Sequence, residues 1–175
     1  TGTTLEWVIA NGGPTIADLD GDGLAEVILG GMVFDHSGVL QFDNGATEGT
    51  NHTYTGGLPA VADMDLDAEP EIVTGARAWE TDGSAWWDST TDDGYPAIAD
   101  FNDDGYPEVV LVASGYVHIL QGTSGGAYWT PVVIPGNGIG GPPTVADFDG
   151  DGFPEIGVAG GSSYSVYDPD GADPV

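Results

Sequence analysis

The stretch "PTVADFDGDGFPEI", residues 143–156, places Asp147, Asp149, Asp151 and Glu155 within nine residues, between two apolar runs. Four carboxylates this close repel one another unless a positive charge sits among them. The stretch has company. "PTIADLDGDGLAEV" (14–27), "PAVADMDLDAEPEI" (59–72) and "PAIADFNDDGYPEV" (96–109) align with it residue for residue.

The first aspartate of each copy falls at 18, 63, 100 and 147, so the spacings are 45, 37 and 47 residues. A repeat of about 40–45 residues is what one four-stranded propeller blade needs. Each copy has the same frame. Proline stands four residues before the first Asp (Pro14, Pro59, Pro96, Pro143), Ile or Val two before (Ile16, Val61, Ile98, Val145), and Ala directly before (Ala17, Ala62, Ala99, Ala146). An apolar, β-branched run such as "VIL" or "VVLV" follows the Glu. Short apolar segments flanking a Gly- and Asp-rich loop read as a β-hairpin. Two further strands are expected per unit, as in "MVFDHSG" then "VLQFDNG", and "ARAWETDG" then "SAWWDST". No segment carries a 3.6-residue apolar period. The sequence therefore predicts an all-β fold, a β-propeller of about four four-stranded blades with an acidic loop between the first two strands of each. Residues 1–175 form a single repeat domain with blade cores near 13–56, 57–94, 95–141 and 142–175, and 1–12 as an outer strand completing a blade.

Bulk properties narrow the function. A chain of 175 residues is long enough for a real core. It has no cysteine, so disulfides and thiolate metal sites are excluded. No run of 18 apolar residues is present, so no membrane insertion is expected. The chain starts at Thr1 without a signal-peptide pattern, which reads as a mature or excised segment. Thirty glycines and twelve prolines fit many tight turns. Twenty-nine acids face a single base, Arg77, for a net charge of −28. Nucleic acid and anionic membranes are poor partners for that surface. The acids are spread along a chain that is 40% hydrophobic, which argues against disorder.

Positions one, three, five and nine of each loop carry oxygen donors. The sets are Asp18, Asp20, Asp22 and Glu26; Asp63, Asp65, Asp67 and Glu71; Asp100, Asn102, Asp104 and Glu108; Asp147, Asp149, Asp151 and Glu155. Hard oxygen ligands in this number suit Ca²⁺, whereas Mg²⁺ wants a tighter octahedron and keeps its waters. Transition metals favour His or Cys, and the loops contain neither. A backbone carbonyl at position seven (Leu24, Glu69, Tyr106, Phe153) is expected to complete each site. An EF-hand is excluded, because its twelfth position needs a bidentate Glu where the first repeat has Leu29 and the last Val158.

This pattern resembles the FG-GAP, or integrin α-like (VCBS-type), repeats of calcium-binding β-propellers, and the likeness covers all four units. The resemblance implies that each loop joins the two innermost strands of a blade, with about four Ca²⁺ on one face. It also implies ligand binding on the opposite face, built from connections 45–57, 88–94 and 135–141 and turns 30–32, 76–78, 113–115 and 160–163, with Tyr54 in the longest. Three departures stand out. Ala68 replaces a loop glycine, Asn102 replaces an aspartate, and all four ninth residues are Glu where the family often has Asp. The second and third sites are therefore expected to be weaker than the first and fourth.

The functional expectation is a non-enzymatic, calcium-stabilised, extracellular or cell-surface protein for adhesion, protein interaction or assembly. Millimolar calcium is an extracellular condition, and four dications would offset only eight of the 28 surplus negative charges. The alternative is a carbohydrate-binding lectin, with Trp79, Trp86, Trp87 and Trp129 stacking on sugars, or a propeller-based polysaccharide-active enzyme. Against an enzyme, the residual acids Glu6, Asp35, Glu48 and Glu80 follow no acid–base pattern. His36, His52 and His118 stand alone, and no G-x-S-x-G or H-E-x-x-H occurs. Blade packing also explains the tryptophans more simply than sugar stacking. Asn51-His52-Thr53 is a lone glycosylation sequon.

The ends complement each other. "TLEWVIANGG" precedes the first repeat as "AYWTPVVIPGNGIGG" precedes the fourth, and "SYSVYDPDGADPV" stops after a third strand. Closure into a four-bladed ring within one chain is the first expectation. The others are four blades of a longer propeller, or residues 4–10 completing a blade of a neighbouring molecule by strand exchange.

Overall fold

A computed structural model describes residues 12–45 and 57–169. The prolines and the acidic loops punctuate the chain, and the apolar segments between them pair with their neighbours in sequence. The first sheet holds β1 (Thr15–Ala17), β2 (Glu26–Leu29), β3 (Met32–Phe34) and β4 (Leu40–Asp43). The second holds β5 (Ala60–Ala62), β6 (Glu71–Thr74), β7 (Arg77–Trp79) and β8 (Ala85–Asp88). The third holds β9 (Tyr95–Ala99), β10 (Glu108–Ala113), β11 (Tyr116–Leu120) and β12 (Val132–Val133). The fourth holds β13 (Thr144–Ala146), β14 (Glu155–Ala159) and β15 (Tyr164–Tyr167). All pairings are antiparallel and run in sequence order across each sheet.

One register recurs. The frame alanine pairs with the loop glutamate in every sheet: Ala17 with Glu26, Ala62 with Glu71, Ala99 with Glu108, Ala146 with Glu155. Each acidic loop is thus the connection of the first hairpin, as the sequence predicted. The second strands are apolar on both sides because each central sheet is covered on both sides; β6 and β10 are buried along their whole length.

Three cores separate the four sheets. Leu19, Ile28 and Val33 of the first sheet meet Ile72 of the second, flanked by Val61 and Trp79. Met64, Val73, Ala78 and Trp87 of the second meet Val109, Leu111 and Leu120 of the third. Phe101, Val110, Val112 and Ile119 of the third meet Ile156 and Val158 of the fourth. An aromatic residue on or just before each fourth strand, Phe42, Trp87 or Trp129, packs at the junction with the next sheet. Trp87 also donates its indole N–H to the Gly122 carbonyl at 2.6 Å across that junction. A side chain at Gly122 would put its Cβ 2.0 Å from the Pro107 carbonyl oxygen, so the close approach needs glycine.

The innermost strands follow one another as β1 on β5, β5 on β9 and β9 on β13. Among the described residues no core joins the first sheet to the fourth, and the fourth sheet has three strands where the others have four. The expected closure within one chain is therefore not detected among the described residues. The N-terminal strand with Trp7, the loop around Tyr54 and the Asn51 sequon fall outside the described residues.

Burial sorts the strand residues energetically. Leu111→Ala, between two sheets, should lower unfolding free energy by about 2–5 kcal/mol. Leu40→Ala, on an exposed part of β4, should stay within about 0.5 kcal/mol. Urea unfolding of both variants checks the contrast.

Candidate metal centres

Each acidic loop folds on a ladder of side-chain to backbone hydrogen bonds. Oδ2 of the first aspartate accepts the N–H of the sixth residue: Asp18 from Gly23, Asp63 from Ala68, Asp100 from Gly105 and Asp147 from Gly152, at 2.8–3.1 Å. Oδ1 of the third residue (Asp20, Asp65, Asn102, Asp149) accepts from the N–H of the fifth, at 2.9–3.2 Å. Oδ1 of the fifth (Asp22, Asp67, Asp104, Asp151) accepts from the seventh (Leu24, Glu69, Tyr106, Phe153), at 2.7–2.8 Å. Asp63, Asp100 and Asp147 also accept on Oδ1, from the Asp67, Asn102 and Gly150 N–H groups. The turns thus engage both oxygens of those three side chains, whereas at the third and fifth positions the bonds fall on Oδ1.

The shape demands left-handed backbone at positions four and six. Their φ values are 72° and 86° at Gly21 and Gly23, and 86° and 102° at Gly150 and Gly152. The third loop has Asp103 at 56° and Gly105 at 89°. The second loop reaches the same conformation with Leu66 at 66° and Ala68 at 77°. The sequence reading flagged Ala68 and missed Leu66, although the aligned column Gly21, Leu66, Asp103, Gly150 carries the signal.

The ninth residue plays a different part from the aspartates. Glu26, Glu71, Glu108 and Glu155 are all buried. Each accepts on Oε2 the N–H of the loop's second residue, Leu19, Met64, Phe101 or Phe148, at 2.5–2.9 Å. The glutamate therefore pins the loop to the mouth of its hairpin, and one of its oxygens is already engaged. Burial pushes the Glu71 carboxyl up to about 7, reinforced by Asp65, Glu80 and Asp63 and opposed by the Met64 N–H. Glu108 is raised chiefly by burial, with Asp104 and Asp100 adding and the Phe101 N–H opposing.

The loops differ in how many acids they gather. In the fourth, Asp147, Asp149, Asp151 and Glu155 each bring an oxygen within 4.8 Å of the others. The first gathers Asp18, Asp20 and Asp22 but leaves Glu26 outside, and the second gathers Asp63, Asp65 and Glu71 but leaves out Asp67. The third forms no such acid cluster. Asn102 stands in its middle, and its Nδ2 donates to Oε1 of Glu108 at 3.1 Å. Four oxygen donors without nitrogen or sulfur, as in the fourth loop, fit a hard divalent cation. At the seventh position the described contact of Leu24, Glu69, Tyr106 and Phe153 is made by the N–H.

Glu80 lies beside the second loop, raised by burial and then by Asp65 and Asp67, a neighbour that sequence reading left unassigned. Its signal was positional: Asp35, Glu80, Gln121 and Asp168 each follow a third strand. The residual acid Asp35 is taken up by its own turn, where Oδ1 accepts from the Ser37 N–H and hydroxyl and from the Val39 N–H. Trp79 packs in the first core and donates to Thr74 Oγ1 at 2.7 Å, so it and Trp87 have structural work. His118 is half-buried, and burial lowers its basicity against the opposing pull of Asp92.

Two outcomes follow from these geometries. Ala68→Gly should stabilise the protein by about 1 kcal/mol, because an L side chain in left-handed backbone costs that order; thermal melting reads it. For the chelated protein, the folded Glu71 holds its proton up to about 7 while its ordinary value is 4.5, so the folded state binds more protons between those limits. Its melting temperature should therefore climb as pH falls from 8 toward 5, and a flat profile would contradict the burial of uncompensated charge.

Residues 100–158, from the third loop through β14, match the family described as FG-GAP-like repeat. Among solved structures, the biofilm matrix protein Bap1 of V. cholerae superposes with a TM-score of 0.67 at 25% identity, over 91% of this chain. This chain spans 27% of that one. No curated protein matches the sequence.

Proposed function

We propose that this FG-GAP-like repeat chain is a calcium-stabilised extracellular module of the matrix or adhesion type, acting by binding and assembly and not by catalysis. The observation that carries it is one loop geometry made four times, with the same Asx ladder and the same buried glutamate, gathering acids into a cluster in three of the four loops. The likeness to a protein titled a biofilm matrix protein supports the matrix setting. The four sheets are read as successive blades of a propeller whose loops share one face.

In this reading Asp18, Asp20 and Asp22, Asp63 and Asp65, Asp100 and Asp104, and Asp147, Asp149 and Asp151 hold Ca²⁺. The fourth oxygens and the seventh-position carbonyls fill out each shell. The ion supplies positive charge that turns carboxylate repulsion into attraction. The residues do the rest: the Asx turns orient the donors, and the glutamate fastens the loop to its sheet. If each site had a Kd of ~10 μM at ~1 mM calcium, binding would contribute about 2.7 kcal/mol. Four such terms are comparable with the ~5–15 kcal/mol stability of a typical domain. A strongly acidic chain that depends on this term belongs where calcium is millimolar, outside the cell.

Native mass spectrometry with and without chelator tests the reading. Four calcium ions per chain are expected. Asp149→Ala should lose one ion and melt at lower temperature, whereas Asp92→Ala, on the opposite face, should keep all four. A folded chain that takes up no calcium at millimolar concentration refutes the proposal.

A further inference from the structure

The first two junctions between sheets differ at one aromatic position. Phe42 pairs across strands with Val33 as Trp87 pairs with Ala78, so the two rings hold equivalent places. Trp87 bridges its junction by donating its indole N–H to the Gly122 carbonyl. Two residues past its third strand the second sheet has Thr81 where the third sheet has Gly122, and a phenyl ring has no N–H to reach it. There, at the loop-side rim of the first junction, a cavity of about 360 Å³ opens, lined by both Phe42 and Thr81.

Its lining has two characters. Buried Leu19 and Val33, with Phe42, make an apolar floor. Asp35 from the first sheet and Asp82 from the second stand over it, beside Asp20 and Asp22 of the first loop. The buried Glu26 lines it as well, and Asp18, Asp20 and Asp22 cluster without that residue. Glu26 is 5% exposed; its Oε2 accepts the Leu19 N–H at 2.8 Å, and its Oε1 has no hydrogen-bond partner among the described residues. Since no side-chain oxygen there is both sealed and unpartnered, Oε1 opens on the cavity. A carboxylate oxygen held nine-tenths buried and unbonded calls for a donor.

The two outer carboxylates are held in place. Asp35 accepts from the Ser37 N–H and hydroxyl and the Val39 N–H on Oδ1, and from Gln41 Nε2 on Oδ2. Asp82 accepts the Ser84 N–H at 2.8 Å. These serine bonds hold both carboxyls below their ordinary value, so both are charged at neutral pH. No base answers them: Arg77, the chain's sole Lys or Arg, bonds Asp88 instead and does not line the cavity. Fixed negative charge over an apolar floor fits a ligand with a cationic head and an apolar stem, and repels an anion. The volume lies within the ~300–1,000 Å³ of small-molecule sites.

We propose that this cavity binds a primary alkylammonium group, with its methylene stem on Leu19, Val33 and Phe42 and its head among the carboxylates of Glu26, Asp35 and Asp82. A free diamine and the lysine side chain of a peptide carry the same group. Asp35 and Asp82 belong to none of the four loop sets, so the site does not depend on what the loops hold.

Isothermal titration calorimetry tests it at pH 8, where an imidazole such as that of His36 is neutral, in millimolar calcium and moderate salt. The probes are cadaverine, a blocked tripeptide with a central lysine, and the pentane diol of cadaverine's length. At least one amine should fill a single saturable site per chain, and the tighter of the two identifies the source; the diol should give none. Asp82→Asn keeps an acceptor for Ser84 but loses the charge, and should weaken the amine roughly tenfold. Phe42→Trp keeps every charge and fills the space, so it should abolish the site, whereas loose counterion binding to an acidic surface would survive it. Circular dichroism checks folding, and Asp82→Asn carries the test if Phe42→Trp unfolds. No saturable binding by either amine, equal binding of the diol, or unchanged binding in the folded variants overturns the proposal.

Discussion

Everything in this molecule turns on the repulsion among carboxylates gathered into hairpin connections, and on the buried glutamate that keeps them there. The glutamate pairs across the strands with the frame alanine and accepts the N–H of the loop's second residue. That one bond fixes where the loop begins, and it also points the second residue's side chain into the junction with the next sheet. Loop electrostatics and sheet stacking are thereby joined. A loop that opened under its own charge would withdraw Met64 or Phe101 from a core, and unpin the sheet from its neighbour.

The second loop makes the trade-offs visible. It holds two non-glycine residues in left-handed backbone, lacks Asp67 from its cluster, and contains the carboxyl pushed up to about 7. It also lies between two well-filled cores, with Met64 fully buried. Packing on both sides holds this strained, crowded loop, whereas Gly21, Gly23, Gly150 and Gly152 occupy the demanding positions of the first and fourth loops. Arg77, the sole base, bonds Asp88 across strands of this same sheet at 3.2 Å, away from the loop acids.

Much of this was legible in the sequence. The Pro, Ile/Val, Ala, Asp frame gave the register, because a period-two strand must place Ala and Glu opposite each other once the loop length is fixed. The donors were readable too, as side-chain chemistry at fixed spacing. The glutamate's role was not, since a carboxylate that holds a backbone N–H looks the same in sequence as one that reaches for an ion. The packing partners were equally hidden: Ile16 and Val61 are interchangeable letters, and only the structure reveals that Val61 packs against a core while Ile16 is exposed among the described residues. The strain at Leu66 needed the four copies compared column by column.

Calorimetry across a range of free calcium is the most direct measurement of the central claim. Above the binding midpoint, each tenfold rise in calcium adds about 1.4 kcal/mol per occupied site, so four sites should lift the melting temperature on the order of 10 °C per decade. The account predicts that slope, with the chelated chain melting lowest. A melting temperature that is the same in chelator and in millimolar calcium would contradict it.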